Sequence, residues 1–86
     1  MPDDLRSQFE QAYVDLKRLG RRPDNDTLLR IYALYKQGSE GDVHGARPGF
    51  FDFVGTAKYE AWAALKGTSP EAAMHDYIAL VRSLRD

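Results

Sequence analysis

The sequence predicts a small all-α domain, and three observations carry that prediction. Apolar residues recur at helical spacing in four separate segments, with a capping residue or a breaker near each boundary. No segment alternates apolar and polar residues for long enough to make a convincing strand, and no internal repeat is visible. The length of 86 residues supports one domain, spanning 1–86, and no more.

The first helix is predicted over the stretch from Asp4 to Leu19. Leu5, Phe9, Ala12, Leu16 and Leu19 follow one another at steps of three and four, with Asp15, Lys17 and Arg18 on or beside the opposite face. Gly20 is the expected stop, and Pro23 forbids continuation. Asp24 suits an N-cap, because its carboxylate can accept the free amides of a first turn. Leu28, Leu29, Ile31, Tyr32, Ala33, Leu34 and Tyr35 then carry a second helix to about Gly38, apolar around much of its circumference. Residues 38–49 hold four of the seven glycines and Pro48, the mark of a long loop that is functional or disordered. Asp52 is expected to cap a third helix carrying Ala57, Ala61, Trp62 and Leu65, with Gly67 as its stop. Thr68 and Glu71 match a capping box, Pro70 fits a first turn, and Ala73, Tyr77, Leu80, Val81 and Leu84 complete a fourth helix.

Composition narrows the function classes. Twelve Lys and Arg against thirteen Asp and Glu give a formal net charge of -1, so nothing global marks a nucleic-acid or membrane-surface binder. Without cysteine there is no disulfide framework, thiolate metal site or thiol nucleophile. The opening MPDDLRSQFE is acidic and lacks the apolar core of a secretory signal, and no apolar run approaches the ~18 residues of a membrane span. The expectation is a soluble protein of the cytoplasm. His44 and His75 lack the partners of a metal site, and both read as solvated surface imidazoles. No serine or threonine stands at nucleophile-elbow spacing, and the glycines form neither a phosphate-binding loop nor a dinucleotide fingerprint. No catalytic set, metal or cofactor is expected.

One cluster stands out. Tyr32 and Lys36 lie four residues apart, so a hydroxyl and an ammonium project from one helical face and can grip one anion. Tyr35 flanks that face. Lys58 is expected near the start of the third helix, where free amides already favour negative charge. If the loop lets these helices meet, two lysines and a phenol converge on one phosphate-sized position. The same residues also suit core rings and solvated lysines, and spacing alone does not choose between the readings.

Several motifs in order resemble the acyl-CoA-binding protein family. Residues 31–37, IYALYKQ, are similar to its Y-x-x-Y-K-Q segment. Gly41-Asp42 with Arg47-Pro48-Gly49 resembles its loop signature, and 52–62, DFVGTAKYEAW, its third-helix motif. Leu65-Lys66-Gly67-Thr68-Ser69 and residues 73–78, AMHDYI, complete a match over nearly the whole chain. The resemblance implies an up-down-down-up four-helix bundle that holds long-chain fatty acyl-CoA in a shallow bowl as a carrier rather than an enzyme. It implies that Tyr32, Lys36 and Lys58 hold the ribose 3′-phosphate, that Tyr35 lies near the adenine and that Tyr77 meets the nucleotide. Ala33 and Leu34 fall within the same binding segment, and Lys17 matches a further ligand position. Leu28 and Leu29 would line the acyl tail, with Phe9 facing the same groove. A monomer that meets acyl-CoA-using enzymes transiently and does not insert stably into membranes is the implied mode of action.

The chain departs from the family pattern in places. Val54 and Thr56 stand where lysines are common, and Tyr59 replaces a tryptophan. Gly38 and Ser39 replace alanine and threonine and are expected to loosen the end of the second helix. Two rival readings remain: a protein-interaction module using Phe50, Phe51 and Phe53, and a CoA-dependent enzyme, for which no base or nucleophile is apparent.

Overall fold

The computed structural model describes residues 4–85. These form four helices and no strand: α1 (Leu5–Lys17), α2 (Asn25–Glu40), α3 (Phe53–Ala63) and α4 (Pro70–Leu84). Each start is written locally. Asp4, Asp24 and Asp52 accept a backbone amide three residues on, at 2.8, 2.8 and 2.9 Å, which satisfies one of the free donors of each first turn. At α4 the cap is Ser69, whose hydroxyl accepts from Ala72 N at 3.1 Å, rather than the expected Thr68. Pro70 decides between them, since a proline at the first helical position makes its predecessor the cap.

Two boundaries differ from the sequence expectation. The first helix stops at Lys17, where the Arg18 amide turns back to Asp15 O and Leu16 O, two residues before Leu19. The second runs on through Gly38 and Ser39 to Glu40 and ends at Gly41, whose φ of 78° is the left-handed conformation open to glycine. The expected loosening at Gly38 and Ser39 is absent, for two reasons. Ser39 Oγ donates back to Tyr35 O at 2.7 Å. At Gly38 a Cβ would meet Phe9 Cζ at 3.0 Å and Met74 Cγ at 3.2 Å, so the missing side chain is what lets α2 approach its neighbours closely.

Side-chain contacts fix the helix directions. Phe9 meets Gly38 while Leu16 and Leu28 share a groove wall, so α1 and α2 are antiparallel. Lys58 lies over Tyr32 and Lys36 over Trp62, equal steps in the same direction, so α2 and α3 are parallel. Tyr35 meets Tyr77 and Gly38 meets Met74, so α4 opposes α2 and follows α1. The result is the up-down-down-up bundle. α4 packs on both α1 and α2, and α3 packs on α2.

The core runs along α4. Ala73, Met74, Tyr77, Ile78 and Val81 are buried at helical spacing and close against Phe9 and Ala12 of α1 and Ile31 and Leu34 of α2. Phe9 sits between Tyr35 (5.3 Å, stacked) and Tyr77 (5.0 Å, edge-on), the aromatic geometries that add most beyond plain burial. Because α3 leans on α2 alone, α1 and α3 rise as two walls with α2 between them.

Candidate functional site

Those walls enclose a groove of about 720 Å³, within the range of small-molecule sites. Its floor is one face of α2, with Leu28, Leu29, Tyr32 and Tyr35. Tyr13 and Leu16 come from α1, and Phe53, Val54, Ala57 and Lys58 from α3. Tyr77 of α4 closes the bottom. Arg22 and Asn25 stand at the end where α2 begins. The lining is largely apolar, with two cations, Arg22 and Lys58, and no carboxylate among the described residues. Such a surface favours a ligand that is mostly hydrocarbon and carries negative charge.

The structure brings together Tyr32, Tyr35, Lys58, Tyr77, Leu28 and Leu29 in this groove. Lys58 Nζ lies 5.3 Å from the centre of the Tyr32 ring, so a phenol and an ammonium share one end of the site. Lys58 is the sixth residue of α3, however, and not in its first turn. The free amides expected to assist it lie near Asp52, which caps them. Lys36 follows Tyr32 by one turn on the same α2–α3 seam. Its ammonium pairs with Glu40 and lies 4.8 Å over the Trp62 ring. The Lys36 hydrogen bond is the main reason that the Glu40 carboxyl is held below its ordinary range, with His44 adding to it. Lys17 stands apart on α1, 4.4 Å over the Tyr13 ring, which in turn sits 5.0 Å from Tyr35.

Three other predicted contacts lie in the interior. Phe9 is 1% exposed, Leu34 1% and Ala33 3%, and none of them lines the groove. Phe9 instead supports the floor from beneath, through its stack on Tyr35. Tyr77 both lines the groove and is fully buried, and its hydroxyl has no hydrogen-bond partner. Burial pushes its phenol far above the ordinary range, and the neighbouring Tyr35 and Tyr13 add to the effect.

Of the two expectations for the glycine-rich stretch, functional or disordered, the second does not hold, because the loop 41–52 is tied down. Asp42 Oδ1 accepts from Gly67 N and from Gln37 Nε2, each at 2.9 Å, and the same Gln37 amide donates to Thr68 O at 2.7 Å. Trp62 Nε1 donates to Gly41 O at 2.9 Å, and Tyr59 OH to Gly45 O at 3.2 Å. Arg47 pairs with Glu60 at 2.7 Å and lies over the Tyr59 ring. Tyr59 therefore anchors the loop instead of entering the groove. His44 is a surface imidazole, as expected, and it also meets Glu40 at 3.0 Å and the edge of Trp62.

Sequence reasoning missed Tyr13, Leu16, Arg22, Asn25, Ile31, Phe53, Val54 and Ala57 as groove residues. Tyr13 carried a usable signal, since it lies four residues from both Phe9 and Lys17. Arg22 and Asn25 sit in and after the α1–α2 turn, where no periodicity points to a site.

Comparisons with known proteins agree with this geometry. A family model described as "Acyl CoA binding protein" matches residues 6–81. The chain is 48% identical over 77 residues to "Acyl-CoA-binding protein homolog" of Drosophila melanogaster, covering 90% of each. It is also 47% identical over 76 residues to part of "Enoyl-CoA delta isomerase 2" of Rattus norvegicus, covering 88% of this chain but 19% of that protein. Among solved structures, Oryza sativa Acyl-CoA-Binding Protein 2 superposes with a TM-score of 0.89 at 40% identity, over 94% of this chain and 90% of that one.

Proposed function

Because the chain belongs to the acyl-CoA-binding protein family, we propose that it binds long-chain fatty acyl-CoA thioesters and carries them without turning them over. The observation that supports this most directly is the groove itself. Its wall is apolar along Leu16, Leu28, Leu29 and Val54, and one end carries Tyr32 with Lys58, with no carboxylate in the described lining.

In this reading Tyr32, Lys36 and Lys58 hold the 3′-phosphate of the CoA ribose. The phenol gives a directed hydrogen bond and the ammoniums give compact charge. Lys36 reaches the phosphate by exchanging its carboxylate partner Glu40 for the ligand. Tyr35 and Tyr77 meet the nucleotide, where the unpartnered Tyr77 hydroxyl gains a partner that the free protein does not give it. Lys17, over the Tyr13 ring at the α1 rim, attracts the remaining phosphate charge. Ala33, Leu34 and Phe9 hold the floor from within. The thioester meets no carboxylate, imidazole, thiol or aliphatic hydroxyl in the described lining, and in this reading the bound molecule is stored or handed on. The protein acts as a cytoplasmic monomer.

Calorimetry with free CoA, octanoyl-CoA and palmitoyl-CoA tests the reading. Each methylene buried on the groove wall contributes about 0.8 kcal/mol, so two more should tighten binding by roughly tenfold until the groove is full. Equal affinity for free CoA and palmitoyl-CoA would overturn the proposal. A steady release of free thiol from palmitoyl-CoA would replace the carrier with a thioesterase.

A further inference from the structure

The turn before α3 and the first two residues of that helix carry four large apolar side chains in solvent. Phe50 is 84% exposed, Phe51 81%, Phe53 73% and Val54 68%. They are nearly consecutive, and Phe50 meets Phe51 edge to face with ring centres 5.0 Å apart. The intervening Asp52 is turned to the cap of α3, where it accepts from Gly55 N. An apolar cluster of this kind costs solubility and marks a contact surface.

From this we infer that residues 50–54 form a membrane-docking tip, which dips into the headgroup and upper acyl region of a lipid bilayer. Shape favours a bilayer over a protein. Rings exposed by more than four-fifths stand out from the surface on nearly all sides, forming a protrusion with no socket of its own. A bilayer closes around any protrusion, whereas a protein partner must offer a matching cavity. Area points the same way. Four such side chains present on the order of 500 Å², below the ~800 Å² per partner of a stable protein interface. Aromatic rings are also the side chains that settle best at the membrane–water boundary.

Charge and continuity add to the case. Phe53 and Val54 also line the groove, as do the cations Arg22 and Lys58, so the apolar tip runs into the groove wall with positive charge beside it. An anionic leaflet is attracted to those cations. The contact is peripheral: no described helix is long and apolar enough to cross a membrane. A tip with two or three rings inserted binds reversibly, as interfacial anchors do. Docking rests on the tip alone. Only its consequence, that a fatty chain passes between bilayer and groove without crossing open water, rests on the proposed function.

Cosedimentation of the full chain with vesicles of phosphatidylcholine, and of phosphatidylcholine mixed equally with phosphatidylserine, tests the inference. The wild-type chain is expected to pellet with both, more with the anionic mixture. The double variant Phe50→Ser/Phe51→Ser should partition roughly 30-fold less, as expected from removing two half-buried rings. Neither ring lines the groove, so palmitoyl-CoA affinity in solution should stay unchanged, which separates failure of docking from failure of the binding reading. Far-ultraviolet dichroism should also match wild type, because both side chains stand in solvent. Absence of wild-type pelleting with either vesicle, or equal pelleting of the double variant, would overturn the inference. So would a concentration-dependent dimer in sedimentation velocity that the double variant loses, since the tip would then serve a second copy of the chain.

Discussion

Replacing Tyr77 with phenylalanine should make the protein more stable and a poorer binder at once. The side chain is fully buried, packed 5.0 Å from Phe9 and 5.7 Å from Tyr35, and its hydroxyl is unpartnered. Phenylalanine keeps the ring and these contacts and removes only the oxygen. A buried hydroxyl without a partner costs about 1–3 kcal/mol. Allowing for the small void left behind, the gain is about 1–2 kcal/mol, or roughly 4–16 °C in Tm for a domain of this size. The alkaline limb gives a second signature. Above about pH 10 the phenol ionises in the unfolded chain, while in the fold burial holds its proton on. The unfolded state then binds fewer protons, so this contribution to stability is complete below about pH 10 and declines above it, by up to about 1.4 kcal/mol per pH unit. The variant lacks that decline, and its advantage should widen with pH. In binding, losing one hydrogen bond of about 0.5–1.5 kcal/mol predicts a Kd for palmitoyl-CoA about two- to twelve-fold weaker. Differential scanning calorimetry and titration calorimetry read the two effects. A Tm equal to or below wild type would show that the hydroxyl is satisfied in the free protein, and the reasoning would fail.

Three further outcomes follow from the same geometry. Glu40→Gln frees the Lys36 ammonium from its carboxylate and should tighten CoA-ester binding about two- to five-fold at low salt, with the gain shrinking as salt is added; weaker binding in calorimetry would mean that Glu40 aims Lys36 instead of competing for it. Leu28→Ser roughens the groove floor and should weaken palmitoyl-CoA binding by about ten-fold or more, from loss of roughly 1.5 kcal/mol of apolar contact, while leaving free CoA little changed. At acid pH, backbone and side-chain hydrogen bonds hold the carboxyls of Asp4, Asp24 and Asp42 below their ordinary range, as Lys36 does for Glu40. The unfolded chain therefore takes up protons first. Stability is complete above about pH 4.5 and should fall as pH drops towards about 2, with a shallower fall in Asp42→Asn; a thermal midpoint flat across that range would show that these bonds do not form in solution.

What could be read from the sequence divides by distance along the chain. The caps of α2 and α3 were legible because each joins residues three apart, and a local pattern encodes it. Thr68 was misread as the cap of α4 because two hydroxyls stood side by side and the capping-box spacing selected the wrong one. Lys58 was placed too near a helix start, since even from the expected Asp52 cap it is the sixth residue of α3 and lies past the first turn. For a deeper reason, the spacing leaves open whether the loop is functional or disordered. Its anchors join Asp42 to Gly67, 25 residues away, and its hydrogen-bond partner Gln37 to Thr68, 31 away, and no periodicity carries such pairs. The interior positions of Ala33 and Leu34 were within reach of local reasoning. At about 100° per residue they point well away from the face shared by Tyr32 and Lys36, and belonging to one motif segment obscured that difference.

The near-neutral composition concealed the site for a related reason. A net charge of -1 suggests no preference for anions, yet the groove has cations in its lining and no carboxylate among the described residues. The acids have been drawn into structural work elsewhere. Asp4, Asp24 and Asp52 cap helices, and Asp42 ties two loops together. Glu60 holds Arg47, Asp15 holds Arg85, and Glu40 holds Lys36 just outside the groove. Lys58 and Arg22 make no carboxylate pair within the groove lining, so the positive potential there is set by where the carboxylates are engaged and not by how many there are. In the proposed reading the groove is a local anion site in a balanced chain, and Glu40, paired with Lys36, is positioned to compete for a cation of that proposed site.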